Sequence, residues 1–530
     1  MNHSSRPYSK RRKLARAPDF SPMLRTFAPL VVTAGLITSA WGAARAQDTV
    51  MSRPPNVVEL PESSTHDLDL PQIGNPADTA LSPAEEARLG ARVVSQLYAY
   101  EYLLEDPQIT DYLTATGWKL AAASGARPPK LEFFMVKDPR INAFALPGGF
   151  MGFNAGLLTA SSTESELAGV MAHELAHVTQ RHIARSAAES GGVASIATWL
   201  AVLAAIIAGS ANPDIVLAAL AAGQGLAYQR QVSFTRAHEL EADRIGIRTL
   251  SEAGFNPEGM AAFFQKLEQQ SRLYGNGMPE ILRTHPVNTT RVSEARARAA
   301  SMPKNDAPDS IEYGLMKART QVFASRQPSD AVDAYAALIA AGHDTAPYRY
   351  GLAFAQHELG QNDKAMATLK PVLDKYPRQP NVGLLQAAIL SDGKDPASGL
   401  VAYESTLQAN PRFAPAILEY AEALIHAGKP EQAREILVSH EQAFGTRLDT
   451  YRLLAQAARE VDNNAEASYQ MANYLYLRGD AGGALSQLDA GLRIASLSPQ
   501  DRARLSARRA EVREALPRNY DPEERVRRRR

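Results

Sequence analysis

At 530 residues, 45% of them hydrophobic and 22% charged, the chain is too long for one ordinary core and its composition excludes general disorder, so two to four folded domains are expected. Its 57 basic and 57 acidic side chains cancel and no basic stripe lies outside the termini, which argues against nucleic acid as a partner. There is no cysteine, so disulfides and thiolate zinc sites are excluded, and any metal must be held by His, Asp or Glu.

The chain begins with a basic region (Arg11, Arg12, Lys13, Arg16, Arg25), an apolar run from Phe27 to Ala40, and Ala44-Arg45-Ala46 as a small-x-small cleavage site. This predicts a signal peptide over residues 1–46; a membrane anchor is the alternative, but the run is shorter than the roughly 20 residues a span needs. Met23 is a second candidate start, and Arg11-Arg12 a weak twin-arginine pattern. Removing residues 1–46 takes away eight Lys/Arg and one Asp, leaving 49 basic and 56 acidic residues and a net charge of −7. Residues 47–81, rich in Pro, Ser and Asp, read as a linker.

Ser82-Pro83-Ala84-Glu85 supplies an N-cap, a proline at the first helical position and a capping-box glutamate, so two amphipathic helical segments are expected from there to about Ala123. "LEFFMV" (Leu131 to Val136) reads as a strand, and "INAFALPGGFMGFNAGLL" (Ile141 to Leu158) as two more around Pro147-Gly148-Gly149. A small sheet in an α+β domain follows.

Thr163-Glu164-Ser165-Glu166 is a second capping box, opening a helix expected to run through "MAHELAHVTQRH" (Met171 to His182) to about Ala187. At about 100° per residue, His173 and His177 share one face, with Glu174 beside them. Two imidazoles so spaced can share a zinc ion while the adjacent carboxylate takes a proton from water. A solvated helix face is the competing reading until a third ligand is found. His182, nine residues after His173, projects to the opposite side and is left out of the site. Gln180 and Ile183 break the metzincin extension, so the third ligand must be remote. "HELEADRIG" (His238 to Gly246) offers Glu239 and Asp243 on one helix face, with Glu241 turned about 200° away. One acid could bind the metal while the other accepts a ligand histidine's remaining N–H; alone, such a pair is usually a solvated face.

Between these helices lie two apolar stretches, Val193 to Gly209 and Ile215 to Ala227, read as a buried or lid-like helical hairpin, with shallow bilayer contact as the alternative. In the C-terminal half, Gly360/Ala365 and Gly428/Ala433 lie 68 residues apart and Pro377 and Pro411 lie 34 apart. That is the tetratricopeptide period, each unit a helix pair that buries its apolar face by stacking on neighbours; an unrelated helical bundle is the alternative. A further pair, Gly479/Ala484, falls 51 residues on, which implies a slip of phase. "DPEERVRRRR" reads as a solvated tail.

"INAFALPGG", "MAHELAHVTQRH", "HELEADRIG" and "THPVNTTR" (Thr284 to Arg291), in that order, make the chain resemble the gluzincin metalloproteases related to the prenyl-protein (CAAX) proteases over about residues 80–500. The resemblance implies an α+β, mainly helical protease domain with a small β-sheet, followed by an all-α repeat array. The expected division is a protease over 82–305, repeats over 306–500 and a charged tail over 501–530. It implies one zinc per chain held by His173, His177 and Glu239, with Glu174 as general base and Asp243 behind a ligand. It makes His285, on sequence alone a loop histidine before a proline, a removable fourth ligand of a latent state. Arg291 would lie near the substrate cleft, and Asn142 in the edge strand that pairs with substrate backbone; the Phe/Gly-rich "GGFMGFNAGLL" leaves that register open. The implied activity is zinc-dependent endopeptidase cleavage of unfolded or misassembled proteins in the periplasm, in outer-membrane β-barrel assembly and quality control, with chaperone activity. The implied partners are outer-membrane proteins and the β-barrel assembly machinery, the latter through the repeats. The alternative is a chaperone or scaffold whose repeats bind clients while the protease is latent.

Overall fold

A computed structural model describes residues 81–516, except 127, 129, 190–234, 275–280, 446 and 515. The expected signal peptide, nearly all of the linker and the apolar hairpin therefore lie outside the described residues. Among the described residues no helix is long and apolar enough to cross a membrane.

Helices α1 (Pro83–Ala99) and α2 (Pro107–Ala123) start as their local sequence dictates. Ser82 and Glu85 form the full capping box, and the Asp106 side chain accepts from Ile109 N at 3.0 Å. Strands β1 (Glu132–Val136), β2 (Ala143–Leu146) and β3 (Phe150–Asn154) form a sheet of order β1-β3-β2, with β1 parallel and β2 antiparallel to β3. β2 is thus an edge. Its register pairs Ala143 with Phe153 and Leu146 with Phe150. The Phe/Gly composition has a packing cause: a Cβ on Gly152 would lie 2.2 Å from the Phe144 ring, whose centroid is 5.9 Å from that of Phe134. The expected third strand stops at Asn154, and α3 (Ala155–Ala160) follows it. A short apolar run such as "GLL" has no period that separates buried strand from buried helix.

Helix α4 (Glu164–Thr179) carries the His/Glu motif but does not continue to Ala187. It ends at Gln180, and Arg181 adopts φ 50°, the left-handed region; α5 (His182–Glu189) begins afresh. No glycine or proline marks this break. It is held by remote partners, with Arg181 Nε donating to Glu86 Oε2 at 3.1 Å and Nη2 to the Leu81 carbonyl at 2.7 Å. Helix α6 (Arg236–Glu252) lies close against α4 at Gly246, where a Cβ would sit 3.2 Å from His173 N. Then come α7 (Glu258–Tyr274), α8 (Ile281–Thr284) and α9 (Thr289–Ala300). Met135, Met151, Phe153, Leu157, Leu167, Ile247 and Phe263 form the buried centre between the sheet and these helices.

Among the described residues twelve further helices follow: α10 (Ile311–Ala324), α11 (Pro328–Ala340), α12 (Ala346–Glu358), α13 (Asn362–Lys375), α14 (Pro380–Ser391), α15 (Pro396–Ala409), α16 (Ala414–His426), α17 (Pro430–Phe444), α18 (Leu448–Glu460), α19 (Asn464–Leu477), α20 (Ala481–Leu492) and α21 (Pro499–Glu514). Starts at 346, 380, 414 and 448, and at 362, 396, 430 and 464, repeat every 34 residues. The expected phase slip is therefore corrected. Gly360 and Gly428 close the first helix of a pair, whereas Gly479, at φ 78°, closes the second. The same helix-ending device recurs at the other turn of the unit while the helices keep their period. The expected tail is also shortened, because α21 buries Leu505 and Val512.

Helices of the repeats make contact with the α1–α2 connection and the start of α2, which sequence did not foretell. Arg319 of α10 pairs with Asp106 through Nε and Nη2 at 2.9 and 2.8 Å and lies over the Phe354 ring at 4.1 Å. Gln108 accepts from Asn381 at 3.0 Å and donates to Glu419 at 2.8 Å. Arg447 and Arg478 reach Asp111 and Glu105 at 3.2 and 3.0 Å.

Candidate metal centre

His173 and His177 stand one turn apart on α4, Glu239 in the first turn of α6, and His285 just after α8. One ligand atom from each lies within 4.8 Å of all the others, and all four residues are buried. The two Nε2 atoms are 3.1 Å apart, and His285 Nδ1 is 3.4 Å from His173 Nε2 and 2.8 Å from Glu239 Oε1. Glu239 Oε1 is 3.5 Å from His177 Nε2. Donors bound about 2.1 Å from a tetrahedral zinc sit about 3.4 Å from one another, so this spacing fits one ion. Glu174 supplies a second test. It is 0% exposed, and neither carboxylate oxygen has a hydrogen-bond partner among the described residues. A buried carboxyl group without a hydrogen bond is costly unless it faces a charge or a polar guest, and its neighbour here is the ligand cluster, with His285 Nε2 3.6 Å from Oε1. The residues fit a metal.

Behind the cluster, His173 Nδ1 is 3.0 Å from Asp243 Oδ1. Asn288 caps α9, accepting from Arg291 N at 2.9 Å, and this aims the Arg291 side chain back at α6. There Nε and Nη2 donate to both Asp243 oxygens at 2.7 Å, and Nη1 lies 2.7 Å from Glu239 Oε2. Burial would raise Asp243 and Glu239, but Arg291, His173 and, for Glu239, His285 outweigh it and hold both carboxyls below their usual range. Burial would likewise lower His173, yet hydrogen bonds to Asp243 and Glu239 push it up to about 10. His177, with burial and the His173 charge against it, is held well below.

Arg291, which the resemblance puts near the substrate cleft, is 4% exposed and clamps the two acids. Asn142 precedes β2, is buried, and leaves Oδ1 without a partner among the described residues. His182 and Glu241 are corrections. The break at Arg181 turns His182 back, so that its Nδ1 is 2.9 Å from His177 Nδ1 and its Nε2 3.3 Å from Glu241 Oε2. A projection along one continuous helix could not find this contact. Burial and the His238 charge lower His182 to about 4, leaving its ring neutral.

Two spaces among the described residues are lined by residues of the centre. Between His285, Phe264, Ile281 and Arg291 there is only about 10 Å³, room for about one water. On the side of α1 and the β2–β3 turn, a cleft of about 480 Å³ lined by Pro83, Ala87, Leu146, Gly148 and Ile183 reaches His177.

Residues 107–299 match peptidase family M48, and residues 322–389 and 391–448 match the tetratricopeptide repeat. Fold and site together define a metallopeptidase of family M48 joined to a repeat array. The chain is 33% identical over 455 residues to the beta-barrel assembly-enhancing protease of Escherichia coli K12, covering 84% of this chain and 91% of that one. The Yersinia pestis protein of that name is 32% identical over 446 residues, 83% of this chain and 90% of the other. A mitochondrial metalloendopeptidase of Arabidopsis thaliana is 27% identical over 221 residues, 41% of this chain and 42% of that one. The chain belongs to the beta-barrel assembly-enhancing protease family.

Proposed function

We propose that this chain is an exported zinc endopeptidase of the periplasm that cleaves unfolded or misassembled outer-membrane proteins. The observation that carries the peptidase reading is the convergence of four buried ligand atoms beside Glu174, whose carboxylate has no hydrogen bond among the described residues and faces His285 Nε2 at 3.6 Å. His173, His177 and Glu239 would hold one zinc, which, when bound, polarises the scissile carbonyl and acidifies water toward neutrality. Glu174 takes the proton of the attacking water and returns it to the leaving amine. Asp243 orients His173, and Arg291 balances the charge of both acids. An extended substrate adds to the open edge of β2, with Asn142 at its start, and lies in the cleft of about 480 Å³.

His285 acts as a fourth ligand that closes the centre in a latent state, a role supported by the space of only about 10 Å³ beside it. Residues 82–305 form the protease domain and 306–500 the repeats that meet the β-barrel assembly machinery, as the relatives' name suggests. The closed centre also favours a second reading, a chaperone or scaffold whose repeats bind clients while the protease is off. Zinc content and cleavage of an unfolded outer-membrane protein test the first. Glu174→Gln is expected to keep one zinc and lose cleavage, whereas Glu239→Ala loses both; cleavage that persists in Glu174→Gln would reject the assignment. His285→Ala is expected to raise cleavage with zinc retained, and unchanged or lower cleavage would reduce His285 to a structural residue.

A further inference from the structure

The two ligand histidines are backed differently. His173 turns its Nδ1 to the carboxylate of Asp243, whereas His177 turns its Nδ1 to another imidazole, Nδ1 of His182, at 2.9 Å. Two ring nitrogens at that distance share one proton, so one donates and the other accepts. Glu241 decides the direction. Its Oε2 lies 3.3 Å from His182 Nε2 and accepts from Arg185 Nη1 at 2.9 Å. With the His182 proton on Nε2, that nitrogen donates to the carboxylate, Nδ1 accepts from His177, and His177 Nε2 keeps its lone pair. In the reverse order a lone pair on His182 would face a carboxylate, and the His177 proton would point into the metal cluster. Only the first order gives the Glu241 carboxylate a donor from His182 and leaves a lone pair, not a proton, on the metal side of His177.

We propose that His182, oriented by Glu241, is a positioning residue that fixes His177 in the tautomer whose Nε2 is free for the metal. His182 is 0% exposed, and its ring stacks on His238 with centroids 4.5 Å apart and planes 13° from parallel. The stack holds the ring plane from the side, and Ser186 Oγ lies 3.4 Å from His238 Nδ1. An imidazole acceptor in this place orients the ligand without adding a fourth carboxylate to a cluster that already holds Glu174, Glu239 and Asp243. Partners of this kind typically change metal affinity by about 10- to 100-fold. The inference rests on the reading of His177 as a metal ligand.

The test uses the full mature chain and reads zinc affinity by chelator competition, the visible spectrum of the cobalt-loaded protein, and cleavage at limiting and saturating zinc. His182→Ala is expected to weaken zinc about 10- to 100-fold and shift the cobalt bands, with cleavage largely recovered at saturating zinc. His182→Asn, whose Oδ1 can accept where Nδ1 did, restores most of the affinity. Glu241→Ala moves affinity and spectrum in the same direction by less. A folded His182→Ala with parental affinity and spectrum overturns the proposal, as does a His182→Asn no better than Ala. If His182→Ala does not fold, an unchanged affinity and cobalt spectrum in Glu241→Ala overturns it instead. A parent that binds no zinc, or a Glu239→Ala variant that still binds it, is a different failure, of the metallopeptidase reading itself.

Discussion

Arg291 reaches Asp243 through Nε and Nη2 and Glu239 through Nη1, all at 2.7 Å, so one buried guanidinium answers two buried carboxylates. Removing one partner of such a network leaves the other charges desolvated and typically costs about 3–5 kcal/mol. Arg291→Ala is therefore expected to lower stability by about that amount and to weaken zinc, read by thermal unfolding and chelator competition. Arg291→Lys recovers only part of this, since the three donors of an ammonium leave one nitrogen and cannot match the planar fork that spans Asp243 and Glu239. A variant as stable as the parent would show that the acids do not depend on it. At this scale His173, Glu174 and His177 were legible, because four residues of helix spacing bring two imidazoles to one face. Glu239 and Asp243 were legible as a pair by the same rule. The duties of Arg291 and His182 were not, since both depend on how separate elements turn toward α4.

Among the elements, those governed by neighbouring residues were read correctly. The Ser82 and Thr163 caps start α1 and α4, and Pro147-Gly148-Gly149 turns β2 into β3. The end of α4 was missed because its anchors, Glu86 and the Leu81 carbonyl, lie 95 and 100 residues from Arg181. No local signal encodes a left-handed arginine held from so far away. The β2–β3 turn, by contrast, makes a sharp demand on one residue. Gly149 has φ 85°, and a Cβ there would fall 1.9 Å from the Lys130 carbonyl oxygen. Gly149→Ala thus meets both a disfavoured backbone and a backbone clash, and an expected loss of about 2 kcal/mol or more follows. With substrate added to the β2 edge as proposed, cleavage should fall with KM rising before kcat. Parental stability and kinetics would show that the turn relaxes freely.

Across the described residues, the 34-residue period disclosed the repeats, but not that their helices make contact with the α1–α2 connection and the start of α2. Periodicity reports how a helix pair stacks on its neighbours and carries no information about what else those helices touch. That contact joins both regions in one polar network: Asp106 with Arg319, and Gln108 with Asn381 and Glu419. Burial pushes the partly buried Glu419 carboxyl up to about 7, against the opposing charge of Arg319. An acid whose folded-state pKa lies above its unfolded value stabilises most when protonated, so its contribution is full below about 4.5 and is lost as pH rises through about 7. The junction is therefore expected to loosen from pH 5 to pH 8, with falling thermal stability and faster amide exchange in α2 and α16. Glu419→Gln keeps an acceptor for Gln108 without the charge and should flatten that slope, gaining most over the parent at pH 8. Equal slopes in parent and variant would mean that Glu419 stays ionised among the repeats, its charge satisfied by Arg319 and Gln108.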